Sequence, residues 1–186
     1  TNIGWFYSIQ GIVSLFMPAL MGIVADRWIP AQKALSLCHA LAGTFMIATG
    51  VYGLFAGDAV VFSTIFSLYT ASVAFFMPTL ALSNSVAYTA LTKANMDTVK
   101  DFPPIRVLGT VGFIVTMWVV DLCGFQATPN QFVVSGALSI VLAIYSLTLP
   151  QCPTKGHVEN KSLVEALGLE AFALFKQKKM AVFFIF

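Results

Sequence analysis

The chain has 186 residues, of which 58% are hydrophobic and only 10% are charged. Because soluble domains are about 25% charged, this composition predicts an all-α protein that lies in a lipid bilayer. The net charge is only +2 and the ten basic residues are scattered through the connections, which excludes nucleic acid as a partner.

Five complete apolar stretches are long enough to cross a bilayer, which takes about 20 residues. They cover about 3–25, 34–55, 60–91, 104–120 and 132–149. The third is overlong, and Pro78 near its middle predicts a kink. Residues 151–179 are interpreted as a cytoplasmic linker with an amphipathic helix, capped by Ser162 and Glu165. A sixth span begins at 180–186.

The basic residues predict how the chain is oriented in the membrane. All ten lie at or near the connections that follow the first, third and fifth spans, and the opposite connections contain none. By the positive-inside rule, Thr1 lies on the outer side and the linker on the cytoplasmic side. Because the chain starts at threonine and stops inside the hydrophobic run "AVFFIF", we expect it to be a piece of a longer multi-pass protein.

The cysteines and histidines form no recognisable metal or redox motif. Cys38, Cys123 and Cys152 are far apart, and neither His39 nor His157 completes a metal-ligand spacing. We therefore expect no metal site and no bound cofactor.

The connection after the first span reads "GIVADRWIPAQK". Asp26 can meet the positive end of another helix or an arginine, and Arg27 and Lys33 can hold the loop on the inner side. The alternative is a tight turn whose basic residues only fix the topology. With Gly22 four residues before Asp26, the stretch resembles the loop signature of the major facilitator superfamily. That resemblance implies a gating loop between the second and third helices of such a carrier.

A closer resemblance extends over nearly the whole chain. The stretches that carry it are "MPTLALSNSVAYTAL", "DFPPIRVLGTVGFIVTMWVV", "YSLTLPQCP" and "GLEAFALFKQKKMAVFFIF". They are similar to the bacterial nucleoside:proton symporters of the same superfamily. The resemblance implies the N-terminal half of a twelve-helix bundle, comprising helices 2–6 and the start of helix 7. It also implies nucleoside import across the bacterial inner membrane by proton symport and alternating access, with no enzymatic step.

The fourth span contains the strongest candidates for substrate binding. Arg106, Thr110 and Phe113 are spaced i, i+4, i+7 and share one helix face. An arginine in a span costs about 2.5–3.5 kcal/mol to insert, so it needs a role. The resemblance implies that all three face the substrate cavity. The alternative is that Arg106 snorkels to the interface just after Pro103 and Pro104, which suit a helix start.

Asn84 and Tyr88, one turn apart on the third span, form a second polar patch. Buried amides in membrane helices commonly bond neighbouring helices, so we favour helix packing for Asn84 over substrate contact.

None of the five spans contains a carboxylate within its length, since Asp26, Asp58 and Asp121 all lie at span edges. A proton-coupled carrier needs a titratable group in its pathway. We therefore expect the coupling residues in the remainder of the polypeptide, which joins the nucleoside and the lipid bilayer as a partner.

Two other classes of function stay open from the sequence. The nearer one is a superfamily carrier for another solute, such as xanthosine, a sugar or a drug. The more distant one is a membrane-embedded enzyme or receptor, which the spans disfavour because they contain no Ser/His or Asp pair at mid-depth.

Overall fold

In the computed structural model of the chain, residues 3–153 are described, and they are helical apart from short connections. The helices are α1 (Ile3–Arg27), α2 (Ala31–Ala56), α3 (Phe62–Lys93), α4 (Thr98–Leu122) and α5 (Asn130–Ser146). A 3-10 turn, Gly57–Ala59, follows α2. The first four helices are long and apolar enough to cross a membrane, and α5 is a shorter apolar helix. The linker helix and the sixth span expected from the sequence lie outside the described residues.

The fourth helix begins earlier than the sequence suggested. Its N-cap is Asp97, whose side chain accepts from the backbone N–H of Val99 at 2.9 Å, while Asp101 accepts from the N–H of Asp97 at 2.9 Å. This reciprocal cap satisfies backbone donors that would otherwise lack partners. The expectation that Pro103 and Pro104 start the helix is therefore wrong, because both lie inside α4.

This earlier start changes the position of Arg106 along its helix. Arg106 is eight residues beyond Thr98, which at 1.5 Å per residue places it about 12 Å from the beginning of α4. It therefore lies beyond the first turn of α4.

The central helix of the bundle is α2, which packs along α5 on one side and α3 on the other. The contact with α5 is a backbone-to-backbone approach, because a Cβ atom on Gly136 would lie 2.7 Å from the carbonyl oxygen of Gly43. Hydroxyl groups also bridge the helices, Ser36 donating to Ala143 O at 2.7 Å and Ser72 to Ala42 O at 2.8 Å. Small residues and interhelical hydrogen bonds are the usual means by which membrane helices associate.

Helix α1 packs mainly against α3, and their contact contains an aromatic cluster. The ring of Phe6 meets Phe62, Phe66 and Tyr69 edge-on, with centroids 5.9, 5.5 and 5.1 Å away. Edge-to-face pairs of this kind stabilise by about 0.5–1.5 kcal/mol beyond their burial.

The chain that follows α5 turns back onto the start of α2. The buried side chain of Gln32 accepts from the backbone N–H of Cys152 at 2.9 Å, and Lys93 donates to Gln151 O at 2.6 Å. The end of α1, the start of α2 and the end of α3 therefore meet at one end of the bundle, where Arg27 and Lys33 also lie.

Helix α4 is the least covered of the five. None of its residues is buried, and its contacts within the described part of the chain are mainly with α3. This loose arrangement leaves a cavity on each side of α4.

Candidate functional site

The first cavity lies between α3 and α4 and has a volume of about 460 Å³. It is lined by Leu80, Ser83, Asn84, Ala87, Phe102, Ile105, Arg106, Gly109, Thr110 and Phe113. A small-molecule site has this character, with mostly apolar walls and a few fixed polar groups. The structure thus places the three candidates from α4 and Asn84 from α3 in one cavity wall.

Arg106 is held in this cavity by a hydrogen bond across the two helices. Its Nη1 donates to Oδ1 of the half-buried Asn84 at 3.2 Å. A guanidinium has five N–H donors, so this bond orients the group and leaves most donors available. Asn84 therefore contacts the neighbouring helix through the residue that we expect to bind substrate.

Tyr88 is separate from this arrangement. It is not part of the cavity wall, and its ring packs on Phe102 with the centroids 4.4 Å apart and the planes at 33°. The structure thus gives Tyr88 a packing contact between α3 and α4.

Phe113 is the aromatic surface of the cavity. Its side chain is 64% exposed, so its ring is free to contact a ligand. Thr110 lies one helical turn nearer to Arg106 and adds a hydroxyl that can donate and accept. The three side chains together offer a charged donor, a neutral hydroxyl and a ring for stacking.

A second cavity, of about 450 Å³, lies on the other side of α4 among α2, α3 and α5. Gly109 and Phe113 line both cavities, so the two volumes are neighbours across that part of α4. The polar groups in its wall include the buried residues His39 and Ser139. Sequence reasoning passed over His39 because it completed no metal spacing. The sequence could have indicated His39 as a candidate, because it is a histidine inside an apolar span, where ionisable residues are rare.

The candidate gating loop lies at the end of α1, away from both cavities. Asp26, Arg27 and Lys33 are exposed, and a Cβ on Gly22 would meet no atom within 4 Å. Asp26 is in the last turn of α1, where the helix dipole disfavours an anion by about 0.3–1 kcal/mol. Its carboxylate therefore does not stabilise its own helix.

No group of three or more metal-ligating side chains is found among the described residues. The three cysteines are free thiols, two of them buried.

The chain is similar to known proteins over its whole length. The whole chain, residues 1–186, matches the family model described as "Nucleoside H+ symporter". It is 45% identical over 186 residues to the nucleoside permease NupG of Escherichia coli (strain K12), covering 100% of this chain and 43% of the permease. It is 43% identical over 185 residues to the xanthosine permease of the same organism, with the same coverage of both chains.

The fold is also that of a solved relative. A crystal structure of a single-residue mutant of the nucleoside transporter NupG matches with a TM-score of 0.83 at 42% identity, over 99% of this chain and 44% of that one. The chain thus spans less than half the length of these relatives, which are permeases and not enzymes. Since the family model covers every residue, the chain belongs to the nucleoside H+ symporter family.

Proposed function

We propose that the protein containing this chain imports nucleosides by proton symport across the bacterial inner membrane. The observation that carries the proposal is the cavity between α3 and α4, in which Arg106 is oriented by Asn84 beside Thr110 and Phe113. In a chain of the nucleoside H+ symporter family, that set of groups matches the chemistry of a ribose joined to an aromatic base.

The proposed architecture is a twelve-helix carrier of the major facilitator type. In it, α1–α5 are helices 2–6, and the segment from 180 begins helix 7 after a cytoplasmic linker. Transport by alternating access requires a second bundle that rocks against this one about a shared site. The coverage of less than half of each relative supports this placement. The exposed surface of α4 is consistent with a site that the rest of the polypeptide completes.

Each residue of the cavity has a separate role in binding. Arg106 donates to hydroxyl or carbonyl oxygens of the nucleoside, and the hydrogen bond to Asn84 fixes its direction. Thr110 adds a neutral hydroxyl, and Phe113 stacks on the base. Stacking on Phe113 does not depend on which base is present, because every base has an aromatic face.

The aspartates at the helix ends do not form a proton-coupling site in the α3–α4 cavity. Asp26 lies in the last turn of α1, Asp58 in the turn after α2 and Asp121 near the end of α4. None of these carboxylates lines the cavity. The coupling acids are therefore placed in the remainder of the polypeptide.

Uptake of labelled uridine, adenosine and xanthosine by cells that make the full-length protein tests this function. We expect saturable accumulation of at least one nucleoside, and collapse of the proton gradient should end it. The near-equal identities to NupG and to the xanthosine permease, 45% and 43%, make xanthosine the second candidate substrate. Accumulation that persists without the gradient would contradict symport, and absence of all nucleoside uptake would contradict the proposed function.

If Asp26 belongs to a gating loop, replacing it should slow turnover and leave nucleoside binding intact. We expect Asp26→Asn to lower the maximal uptake rate about tenfold, the factor that about 1.4 kcal/mol gives, because a contact in one transport state is lost. Nucleoside affinity should be unchanged, since Asp26 is outside the cavity wall. Asp58→Asn, the same change in the turn after α2, is the matched control and should transport normally. Equal rates for both variants would exclude a gating role for Asp26.

A further inference from the structure

The cavity on the α5 side of α4 is lined by a histidine, His39, that forms a hydrogen bond through one of its two ring nitrogens. His39 is 8% exposed, and its Nδ1 lies 3.1 Å from Oγ of Ser139 on α5. The same hydroxyl donates to the backbone carbonyl of His39 at 3.0 Å. His39 and Ser139 therefore form two hydrogen bonds with each other, which join α2 to α5.

These two contacts determine which ring nitrogen carries the proton. A serine hydroxyl has one hydrogen, and in this pair it is directed to the carbonyl of His39. Toward Nδ1, the oxygen of Ser139 can then only accept, so Nδ1 must be the donor. In the neutral imidazole this leaves Nε2 without a hydrogen, as an acceptor.

Nothing in the described part of the chain donates to that acceptor. Within the described residues, the ring of His39 makes its hydrogen bond through Nδ1 and makes none through Nε2. Three of the four hydroxyls in the cavity wall already donate to backbone carbonyls, those of Ser72, Thr116 and Ser139. The lining residues from all four helices include no Asp, Glu, Lys or Arg. Nε2 keeps some accessible surface and His39 lines the cavity, so a donor group that occupies the cavity can reach this acceptor.

A nucleoside has more hydrogen-bond donors than the binding groups of the first cavity can accept from. Arg106 only donates and Thr110 offers one hydroxyl, whereas uridine has three hydroxyls and a base N–H. His39 lines the neighbouring cavity, and the two volumes share Gly109 and Phe113 in their walls. A volume of about 450 Å³ is within the range of small-ligand sites, roughly 300–1,000 Å³.

We propose that Nε2 of His39 accepts a hydrogen bond from a donor group of the bound nucleoside, which enters the α5-side cavity past Phe113. This inference rests on the proposed nucleoside transport and adds a residue of α2 to its site. Ser139 is then a positioning residue, because its two hydrogen bonds hold the ring and select the tautomer.

Two amide variants separate the ligand contact from the contact between helices. The variant His39→Asn has an amide near the position of Nδ1, so it keeps the bond to Ser139 and loses the acceptor at Nε2. The variant His39→Gln has its amide near the position of Nε2, so it keeps an acceptor for the ligand. A purely structural histidine would tolerate His39→Asn better than His39→Gln, and a ligand contact predicts the opposite order.

The measurement is uridine binding by the purified full-length transporter, with thermal stability measured on the same samples. We expect His39→Asn to weaken binding about three- to tenfold, the loss of one hydrogen bond, with little change in stability. His39→Gln should bind more tightly than His39→Asn. Equal binding by both variants and the wild type would overturn the inference. The inference would also be overturned if His39→Gln bound uridine more weakly than His39→Asn and was less stable by a corresponding amount. Absence of binding by the wild type would instead count against the proposed function.

Uridine analogues that each lack one donor identify the bonded group. The donors of uridine are the 2′, 3′ and 5′ hydroxyls and the N3–H, which are removed in the three deoxyuridines and in 3-methyluridine. For one of these four ligands, His39→Asn should bind as tightly as the wild type, because the hydrogen bond is already absent. If the variant is weaker by the same factor for all four, His39 does not contact the substrate.

Discussion

Replacing Arg106 with alanine is expected to abolish saturable nucleoside uptake while the protein still inserts into the membrane. The guanidinium is the charged donor of the α3–α4 cavity, where we propose that the nucleoside binds, and its bond to Asn84 fixes its direction. Hydrogen bonds to charged groups contribute about 1.5–3 kcal/mol each, and two such bonds to a nucleoside would correspond to a loss of roughly 10²–10⁴ in affinity. Labelled uptake and binding to purified protein measure the two quantities.

A second variant tests whether the geometry of the donors matters as well as the charge, and a third is a control for charge. Arg106→Lys keeps the charge but loses the planar set of donors, so we expect an intermediate defect. Lys100→Ala removes the same charge from the exposed start of α4, outside the cavity wall, and should leave uptake unchanged.

The anchor interpretation of Arg106 predicts a different result. An interfacial anchor would lower the amount of inserted protein and leave the affinity of the surviving molecules intact. Affinity and the amount of inserted protein therefore separate the two interpretations. Normal affinity in Arg106→Ala would contradict the substrate role.

The sequence was most informative where helix periodicity and chemistry coincide. The spacing of Arg106, Thr110 and Phe113 is enough to place them on one face of a helix, since 3.6 residues make a turn. The apolar stretches likewise indicated the order of the helices, because each backbone must satisfy its own hydrogen bonds in lipid. Both inferences depend only on local geometry.

Contacts between distant helices could not be obtained in this way. The bond between His39 and Ser139 joins residues 100 positions apart, and neither neighbourhood contains a motif that points to the other. The start of α4 was misplaced for a different reason. Two prolines are a strong signal for a first turn, but the reciprocal cap of Asp97 and Asp101 begins the helix earlier.

The contact between α2 and α5 predicts the largest effect on stability. In Gly136→Ala, the new Cβ would lie 2.6 Å from Cγ1 of Ile47 and 2.7 Å from the carbonyl oxygen of Gly43. A backbone atom cannot move aside, so the two helices must separate. Overpacking of this kind costs about 1–3 kcal/mol, and a larger residue such as leucine should prevent stable folding. Thermal unfolding of the purified full-length protein in detergent measures the loss.

The residue next to Gly136 is a control for the size of the side chain. Ala137 is exposed on the same helix, so Ala137→Leu adds more volume there without meeting α2. It should unfold at the wild-type temperature. Gly43→Ala makes the same contact from the other helix, with its Cβ 2.8 Å from Gly136 O, and should be as harmful as Gly136→Ala. Combining the two alanines should cost less than the sum of the single losses, because one separation of the helices relieves both clashes. A fully additive pair would show that α2 and α5 are not held at this distance by the glycine contact.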